Sequence, residues 1–228
     1  MVKGFRALAT DFDGTIAHDG VVDASTREAL ERARDADLCL LLVTGRELPD
    51  LFNTFKHVQL FDRIVAENGA LMYTPAIGVV RQLAPAPPVA LLNRLLADGV
   101  PMSVGASIVA TVEPHEHAVL AAIRDLGLEW HVVFNKGSVM ALPSGVTKAS
   151  GLAPALEDLA IAPEETIGVG DAENDHAFLS MCGLKVAVSN ALPALKELAD
   201  VVTVAARGEG VIELIDGLLA GTLSARAR

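Results

Sequence analysis

The chain has 228 residues, of which 51% are hydrophobic, which is enough for a sizeable core and excludes disorder throughout. Its formal net charge of −11 argues against nucleic acid or anionic membranes as partners, because both would repel an acidic protein. Every long uncharged stretch is interrupted by proline, glycine or serine, so we expect no membrane-spanning segment.

The cysteines and the N-terminus indicate the compartment. Cys39 and Cys182, the two cysteines of the sequence, lie in apolar patterns without the spacing of a metal site. Such cysteines are typical of core residues in a reducing compartment. The N-terminus leads directly into the first predicted strand, so we expect no signal peptide and a cytoplasmic protein. We expect the protein to be a monomer or a homodimer.

The first predicted element is a short buried strand over residues 5–9 that ends beside two carboxylates. Asp11 and Asp13 follow it, and then Gly14 and Thr15. In an extended chain, residues two apart point to the same side, so both carboxylates can face one pocket. Their mutual repulsion would be relieved by a hard cation or a shared proton. Taken alone, this pattern is more typical of a solvated turn, so the rest of the chain decides its meaning.

Helices and strands alternate after the first strand. The predicted elements are a helix that begins with a capping box at 25–28, a strand over 38–43, a helix over 49–56 and a strand over 63–66. This alternation implies right-handed crossovers and an α/β fold with a doubly wound parallel sheet.

The pattern changes after the third strand. A hairpin is predicted over 70–83, followed by a proline-rich boundary. The next predicted elements are a helix over 89–97, a strand over 108–112, a helix over 115–126 and strands over 130–134 and 138–142. This α+β segment lacks strands that end in carboxylates. We therefore predict a core formed by residues 1–83 and 144–228, with a small inserted domain, 84–143, between its two parts.

The α/β alternation returns after the insertion. The predicted elements are a helix over 148–160, a strand over 166–169, a helix that ends near residue 182 and strands over 185–188 and 201–204. Polar residue types therefore follow several core strands: Asp11 and Asp13, Thr44, Glu67 and Asn68, and Asp171 with Asn174 and Asp175, while Lys148 begins a helix. If the strands are parallel neighbours, these side chains converge at one edge of the sheet.

This set of residue types fits phosphoryl transfer. A carboxylate can attack phosphorus, which splits one difficult displacement into two easier ones. Thr44 can donate a hydrogen bond to one phosphoryl oxygen and Lys148 can place an ammonium beside another. Mg²⁺ prefers carboxylate oxygens and water as ligands.

The motifs and their order resemble the haloacid dehalogenase superfamily of phosphatases, with a Rossmann-like core. They are most similar to the branch with an α/β cap after the third core strand, the Cof-type or C2B phosphatases. That branch includes small archaeal-type phosphoglycolate phosphatases and sugar-phosphate phosphatases. The matching motifs are Asp11 to Thr15 (DFDGT), Thr44 to Arg46 (TGR), Lys148, and Gly170 to Asp175 (GDAEND).

The resemblance implies a Mg²⁺-dependent hydrolase that cleaves a small phosphomonoester, a phosphorylated sugar or organic acid, through an aspartyl-phosphate intermediate. Its implied catalytic residues are Asp11 as nucleophile, Asp13 as general acid and base, Thr44 and Lys148. Its implied metal-binding residues are Asp11, Asp13 through its carbonyl, Asp171 and Asp175. Its implied substrate- or phosphate-binding residues are Thr15, Gly45, Arg46, Asn68, Asn174 and Asn190.

Two alternatives stay open on the sequence. A phosphomutase of the same superfamily would need a cap rich in arginine, and this insertion offers Arg94, Arg124 and Lys136. A non-catalytic regulatory domain of a larger protein is disfavoured because every expected catalytic side chain is present. We also expect His115 and His117 to lie at a helix start and not in a metal site.

Overall fold

The computed structural model describes residues 4–222, which form two β-sheets with helices packed against them. The strands are β1 (Ala7–Thr10), β2 (Cys39–Val43), β3 (Arg63–Ala66), β4 (Leu71–Thr74), β5 (Val79–Gln82), β6 (Ser103–Val104), β7 (Val109–Val112), β8 (Trp130–Asn135), β9 (Ser138–Pro143), β10 (Thr166–Gly170), β11 (Leu184–Ala187) and β12 (Val201–Val202). The α-helices are α1 (Ala24–Asp35), α2 (Leu48–Thr54), α3 (Val89–Ala97), α4 (Glu116–Asp125), α5 (Lys148–Asp158), α6 (His176–Met181), α7 (Pro193–Leu198) and α8 (Arg207–Ala220).

The larger sheet has the doubly wound arrangement that the sequence predicts. Its strand order is β12-β11-β10-β1-β2-β3-β4-β5, parallel from β12 to β3 and antiparallel in the β4–β5 hairpin. β1 lies in the middle, where Ala7 pairs with Cys39 of β2 on one side and with Thr166 of β10 on the other. The carboxyl ends of β1, β2, β3 and β10 therefore lie along one edge of the sheet, which we call the carboxyl edge.

Helices cover both faces of this sheet, which explains why its central strands are apolar at nearly every position. On one face, Leu8 of β1 packs in the same buried cluster as Leu30 of α1 and Leu214 of α8. On the other face, the buried cluster contains Leu152 of α5 and Phe178 of α6. The alternation of side chains along a strand supplies both clusters from the same strands.

The smaller sheet lies within the predicted insertion, 84–143, and is antiparallel throughout in the order β6-β7-β9-β8. α3 and α4 cover one of its faces, where Leu91 and Val119 are buried together. The opposite face looks towards the carboxyl edge, and Ala110 and Met140 on that face line a cavity between the two sheets. We call residues 84–143 the cap.

The capping box predicted at 25–28 is wrong. α1 begins at Ala24 after Asp23, whose side chain makes no capping hydrogen bond. Thr26 is already inside the helix and buried, because it packs against Gly208 of α8, where a Cβ would collide with its hydroxyl. The Thr26 hydroxyl therefore contacts α8 and does not cap α1.

The sequence does not predict β6, α7 or α8. α8 spans Arg207–Ala220 and contains Gly208, Gly210 and Gly217, which obscure a helical pattern because glycine disfavours helices. The other predicted elements are present, with ends shifted by no more than two residues. Across residues 4–222, no helix combines the length and the apolar character needed to cross a membrane.

Candidate active site

The two carboxylates after β1 differ in their surroundings. The backbone N–H of Asp11 donates to the carbonyl of Val169 at 3.0 Å, so pairing with β10 continues as far as this residue. The Asp11 side chain is buried, whereas Asp13 is partly exposed and faces the cavity beneath the cap. The alternation predicted for this segment therefore places both carboxylates at the same cavity.

Lys148 joins the two parts of the core at this point. Its Nζ lies 2.5 Å from Oδ1 of Asp11 and 2.5 Å from Oδ1 of Asp175, and its side chain is 1% exposed. The lysine is the first residue of α5, and the N-cap Thr147 and Ser150 form a capping box there. This local capping fixes the start of the helix, and with it the origin of the lysine side chain.

Asp171 and Asp175 complete an acidic cluster with Asp11. Oδ2 of Asp175 accepts the backbone N–H groups of Asp171 at 2.8 Å and of Ala172 at 2.9 Å, so its carboxylate is held by the turn after β10. One oxygen from each of Asp11, Asp171 and Asp175 can lie within 4.8 Å of the others. Three hard oxygen donors at this separation can hold a divalent cation.

The pKa values of the acidic cluster reflect its excess of negative charge. Burial raises the pKa of Asp11 to about 7, repulsion from Asp175 and Asp171 adds to the rise, and attraction to Lys148 opposes it. Burial also raises the pKa of Asp171. Burial alone would lower the pKa of Lys148, but Asp11 and Asp175 outweigh it and raise the pKa. Two ammonium groups, Lys148 and the cap residue Lys136, face the three carboxylates, which leaves an excess of negative charge that a metal ion can neutralise.

Two of the residues predicted to bind substrate or phosphate, Thr15 and Asn190, contact Asp171. The hydroxyl of Thr15 donates to Oδ1 of Asp171 at 3.4 Å, and Nδ2 of Asn190 donates to Oδ2 at 3.2 Å and to the carbonyl of Gly14 at 2.9 Å. Gly14 has a φ of +88°, and a Cβ there would collide with the Asp171 carboxylate and with Lys136. This geometry requires glycine at position 14.

One side of the site lies at the ends of β2 and β3 and is formed by Thr44, Gly45 and Asn68. The buried Thr44 hydroxyl accepts the backbone N–H of Arg46 at 3.1 Å, which leaves its own proton available for donation. A Cβ on Gly45 would lie 3.2 Å from the Asn68 amide atoms, so the glycine permits their close approach. Asn174 donates to Oδ1 of Asn68 at 2.8 Å, which links this side to the turn after β10.

Arg46 contacts Asp13, a pairing that the sequence did not predict. Its Nε lies 2.7 Å from Oδ2 of Asp13 and its Nη2 lies 2.8 Å from Oδ1, while Nη1 lies 2.6 Å from Oδ2 of Asp50. The guanidinium also lies 5.3 Å from the centre of the Phe12 ring. Bidentate pairing of this kind fixes the plane of a carboxylate.

The cap contributes Lys136 to the site. This residue occupies the turn between β8 and β9 with a φ of +49°, and Gly137 follows with a φ of +85°. Its Nζ lies 2.6 Å from Oδ2 of Asp171 and 3.3 Å from the carbonyl oxygen of Asp13. Lys136 is one of the basic residues noted in the insertion from the sequence. Its contact with the acidic cluster was not predicted, because Lys136 and Asp171 lie far apart in the chain.

The cavity under the cap has a volume of about 530 Å³. Its lining from the core includes Asp11, Asp13 and Arg46, and its lining from the cap includes Lys136 and Met140. A second cleft of about 500 Å³ opens on the other side of the cap–core junction, beside Lys148 and Asn174. The histidines discussed above lie elsewhere: His115 precedes α4, and the side chain of His117 is 87% exposed.

Comparison with known proteins decides the family. The model of the haloacid dehalogenase-like hydrolase family matches residues 8–84 and 116–215. The chain belongs to this family. It is 32% identical to the phosphoglycolate phosphatase of Methanothermobacter thermautotrophicus, over 92% of this chain and 97% of that protein. The resemblance predicted from the motifs is therefore confirmed.

Solved structures of the family have the same fold. A haloacid dehalogenase-like hydrolase from Bacteroides thetaiotaomicron superposes with a TM-score of 0.78 at 19% identity, over 93% of this chain and 98% of that one. A subclass IIB sugar phosphatase superposes with a TM-score of 0.75 at 21% identity, over 96% of this chain and 100% of that one. Family and relatives together identify the chain as a phosphoric monoester hydrolase, which confirms the predicted enzyme class.

Proposed function

We propose that this phosphatase hydrolyses 2-phosphoglycolate or a similarly small phosphorylated organic acid, with Mg²⁺ as its cofactor. The observation that carries the proposal is Lys136, a cap ammonium in the cavity wall whose Nζ contacts Asp171 and the Asp13 carbonyl. With Mg²⁺ bound to these two oxygens, the ammonium would be released towards the leaving group. A carboxylate on the leaving group would complement this charge, whereas a neutral sugar would not. The curated relative with 32% identity is named for phosphoglycolate.

In the first half of the proposed reaction, a carboxylate oxygen of Asp11 attacks phosphorus as the bond to the leaving-group oxygen breaks. Asp13 gives its proton to that oxygen, so an alcohol leaves and an aspartyl phosphate remains. In the second half, water attacks phosphorus, Asp13 takes the water's proton, and inorganic phosphate leaves as the Asp11 carboxylate is restored. Thr44 and Lys148 hold phosphoryl oxygens in both halves.

Mg²⁺ fits the donors that the chain presents. Asp11, Asp171 and the carbonyl of Asp13 would hold it, with Asp175 beside them. The three carboxylates form one buried cluster of hard oxygen donors, and the Asp13 carbonyl lies near Asp171, since Nζ of Lys136 contacts both. The bound ion would neutralise charge on the phosphoryl group. Thr15 and Asn190 then act by orienting Asp171, to which both donate.

The substrate proposal is tested with a panel of phosphomonoesters in the presence of Mg²⁺. We expect the highest kcat/KM for 2-phosphoglycolate, and we expect Lys136→Gln to lower it about tenfold or more while sparing p-nitrophenyl phosphate. The control is Arg124→Gln, because Arg124 lies on the outside of the cap, 77% exposed, and pairs with Asp125. A preference for sugar phosphates would contradict the proposed substrate, as would an equal loss on all substrates in Lys136→Gln.

The cap gives no support to the phosphomutase alternative. Arg94 bonds to Asp98 at 2.7 Å and lies near Asp125, which also binds Arg124 at 2.7 Å. These arginines are therefore engaged by carboxylates of the cap helices, away from the cavity.

The thiols of Cys39 and Cys182 are free, which supports a cytoplasmic location.

A further inference from the structure

Glu67 is a buried carboxylate that the proposed chemistry does not use. It follows β3 at the carboxyl edge, its side chain is 1% exposed, and its φ is +49°. Its backbone N–H donates to the carbonyl of Arg46 at 3.0 Å. Burial of an ionisable side chain without compensation is costly, so its partners indicate its role.

All hydrogen-bond partners recorded for this carboxylate belong to the cap, in the loop between β6 and β7. Oε1 accepts the backbone N–H of Ala106 at 2.9 Å, and Oε2 accepts those of Ser107 at 2.8 Å and Ile108 at 3.1 Å. Consecutive backbone N–H groups that converge in this way form an anion-binding nest. The core therefore supplies the anion and the cap supplies the nest.

The loop is shaped for this contact. A Cβ on Gly105 would lie 2.5 Å from Oε1 of Glu67, so the carboxylate can approach only a glycine here. Ser107 donates its hydroxyl to the carbonyl of Ala84, at the first boundary of the cap, at 2.8 Å. Gln82 of β5 donates to Ser107 Oγ at 3.1 Å. The bonds from Gln82 and to Glu67 thus attach this loop to the core.

The same loop leads directly into the wall of the cavity. Ile108 and Ala110 line the cavity, and β7 pairs with β9, from Val109 opposite Ala141 to Val112 opposite Ser138. The β8–β9 turn with Lys136 lies beyond the far end of β7. The cap sheet is therefore attached at one end through Glu67 and reaches the acidic cluster at the other end.

We propose that Glu67 is a positioning residue that fixes the cap on the core and thereby sets the distance between the cap wall and Asp11. It touches no reacting atom and acts through the loop at 105–108. The inference holds whichever phosphomonoester the site accepts, so it can be tested with p-nitrophenyl phosphate. Replacing its charge should disturb substrate binding more than the chemical step.

The test compares wild type, Glu67→Gln and Gly105→Ala. In Glu67→Gln one oxygen becomes an NH₂ group that cannot accept the loop N–H groups. In Gly105→Ala the new methyl displaces the carboxylate and also contacts Cγ2 of Ile108, 2.7 Å from the Cβ position. For both variants we expect KM for p-nitrophenyl phosphate to rise about tenfold with kcat within about twofold of wild type. In the double variant, KM should be no higher than in the more impaired of the two single variants, because both changes disrupt the same contact between Glu67 and the loop.

Hydrogen exchange supplies a readout that general destabilisation does not produce. The amides of Ala106, Ser107 and Ile108 should exchange about tenfold faster in both single variants, with β9 unchanged. The matched control is Asp62→Asn, because Asp62 also accepts a backbone N–H, that of Leu40 at 2.8 Å, but lies at the opposite edge of the sheet. It should leave KM and the loop amides unchanged.

Two results would overturn the inference. One is unchanged KM and unchanged exchange of the loop amides in Glu67→Gln and Gly105→Ala. The other is a loss of activity confined to kcat with normal loop protection, since that would place Glu67 in the chemical step. If Glu67→Gln does not fold, Gly105→Ala alone decides by the same two measurements.

Discussion

The guanidinium of Arg46 holds the carboxylate of Asp13 by two parallel hydrogen bonds, at 2.7 and 2.8 Å. Because Asp50 binds the third nitrogen at 2.6 Å, the arginine is itself held in place. Asp13 therefore has a fixed orientation in the folded chain. In the proposed mechanism one of the two bonds opens, so that this oxygen can face the leaving group while the other bond keeps the carboxyl group in place.

Arg46→Lys should lower kcat by an amount that depends on the leaving group of the substrate. A lysine cannot make the paired bonds, so Asp13 should lose its fixed orientation and donate its proton less well. We expect kcat for an alkyl phosphate to fall about a hundredfold and kcat for p-nitrophenyl phosphate to fall much less, because nitrophenolate leaves without a proton. Arg32→Lys, which alters an exposed ion pair with Asp216, serves as the control. Equal losses on both substrates would contradict this role.

Asp11→Asn should abolish turnover and stabilise the metal-free protein at alkaline pH. Burial raises the pKa of Asp11 to about 7 in the folded chain, against about 4 when unfolded. Between these values the folded chain keeps a proton that the unfolded chain has lost, so the contribution of Asp11 to stability falls as pH rises from about 4 to about 7. The neutral asparagine avoids this loss.

Thermal unfolding in EDTA measures this effect. Asp11→Asn should unfold several degrees above wild type at pH 8, and the difference should shrink towards pH 5, where wild-type Asp11 is largely protonated. Addition of Mg²⁺ should stabilise wild type more than the variant, because the variant has lost a carboxylate ligand. A difference that stays constant between pH 5 and pH 8 would show that Asp11 is not the titrating group.

Removal of divalent metal should abolish activity, and Mg²⁺ should restore it. Asp171→Asn should raise the Mg²⁺ concentration for half-maximal activity by about tenfold or more, because a neutral amide is a poor ligand for a hard cation. The Mg²⁺-induced rise in melting temperature should be smaller in this variant than in wild type. Activity that survives exhaustive chelation would refute the proposed cofactor.

Gly14→Ala should cost both stability and activity. The φ of +88° disfavours alanine, and its methyl would also collide with Asp171 and Lys136. Gly78→Ala is the matched control, because Gly78 has a φ of +67° but no atom within 4 Å of a Cβ. The control should lose about 1 kcal/mol from backbone strain alone, measured by denaturant unfolding, and keep full activity. Gly14→Ala should lose more stability and nearly all activity; equal stability losses would contradict the predicted collision.

The parts of the site that the sequence predicts share one property: each follows a strand whose apolar run is visible locally. Asp11, Thr44 and Asp171 lie at the ends of β1, β2 and β10, and parallel pairing brings those ends together. Lys148 begins a helix whose capping box is local as well. Short-range sequence patterns are therefore sufficient to predict that these four residues lie in the site.

The contacts that escaped prediction join the cap to the core. Lys136 and Asp171 are 35 residues apart, and Glu67 and Ser107 are 40 residues apart. Charge alone does not show which of the many acidic and basic residues will meet, because that depends on how the cap lies over the carboxyl edge. The same limit holds within the core, where the sequence did not indicate that Arg46 would pair with Asp13.

The central place of β1 has a consequence for synthesis of the chain. Its partner on one side, β2, follows within about thirty residues, but its partner on the other side, β10, begins only at Thr166. An emerging chain therefore exposes an open strand edge beside Asp11 while the whole cap is being made. Asp11, Lys148 and Asp175 can come together only after the turn at Asp175 has left the ribosome. We therefore expect a nascent chain shorter than this to lack phosphatase activity and to be prone to aggregation along that edge.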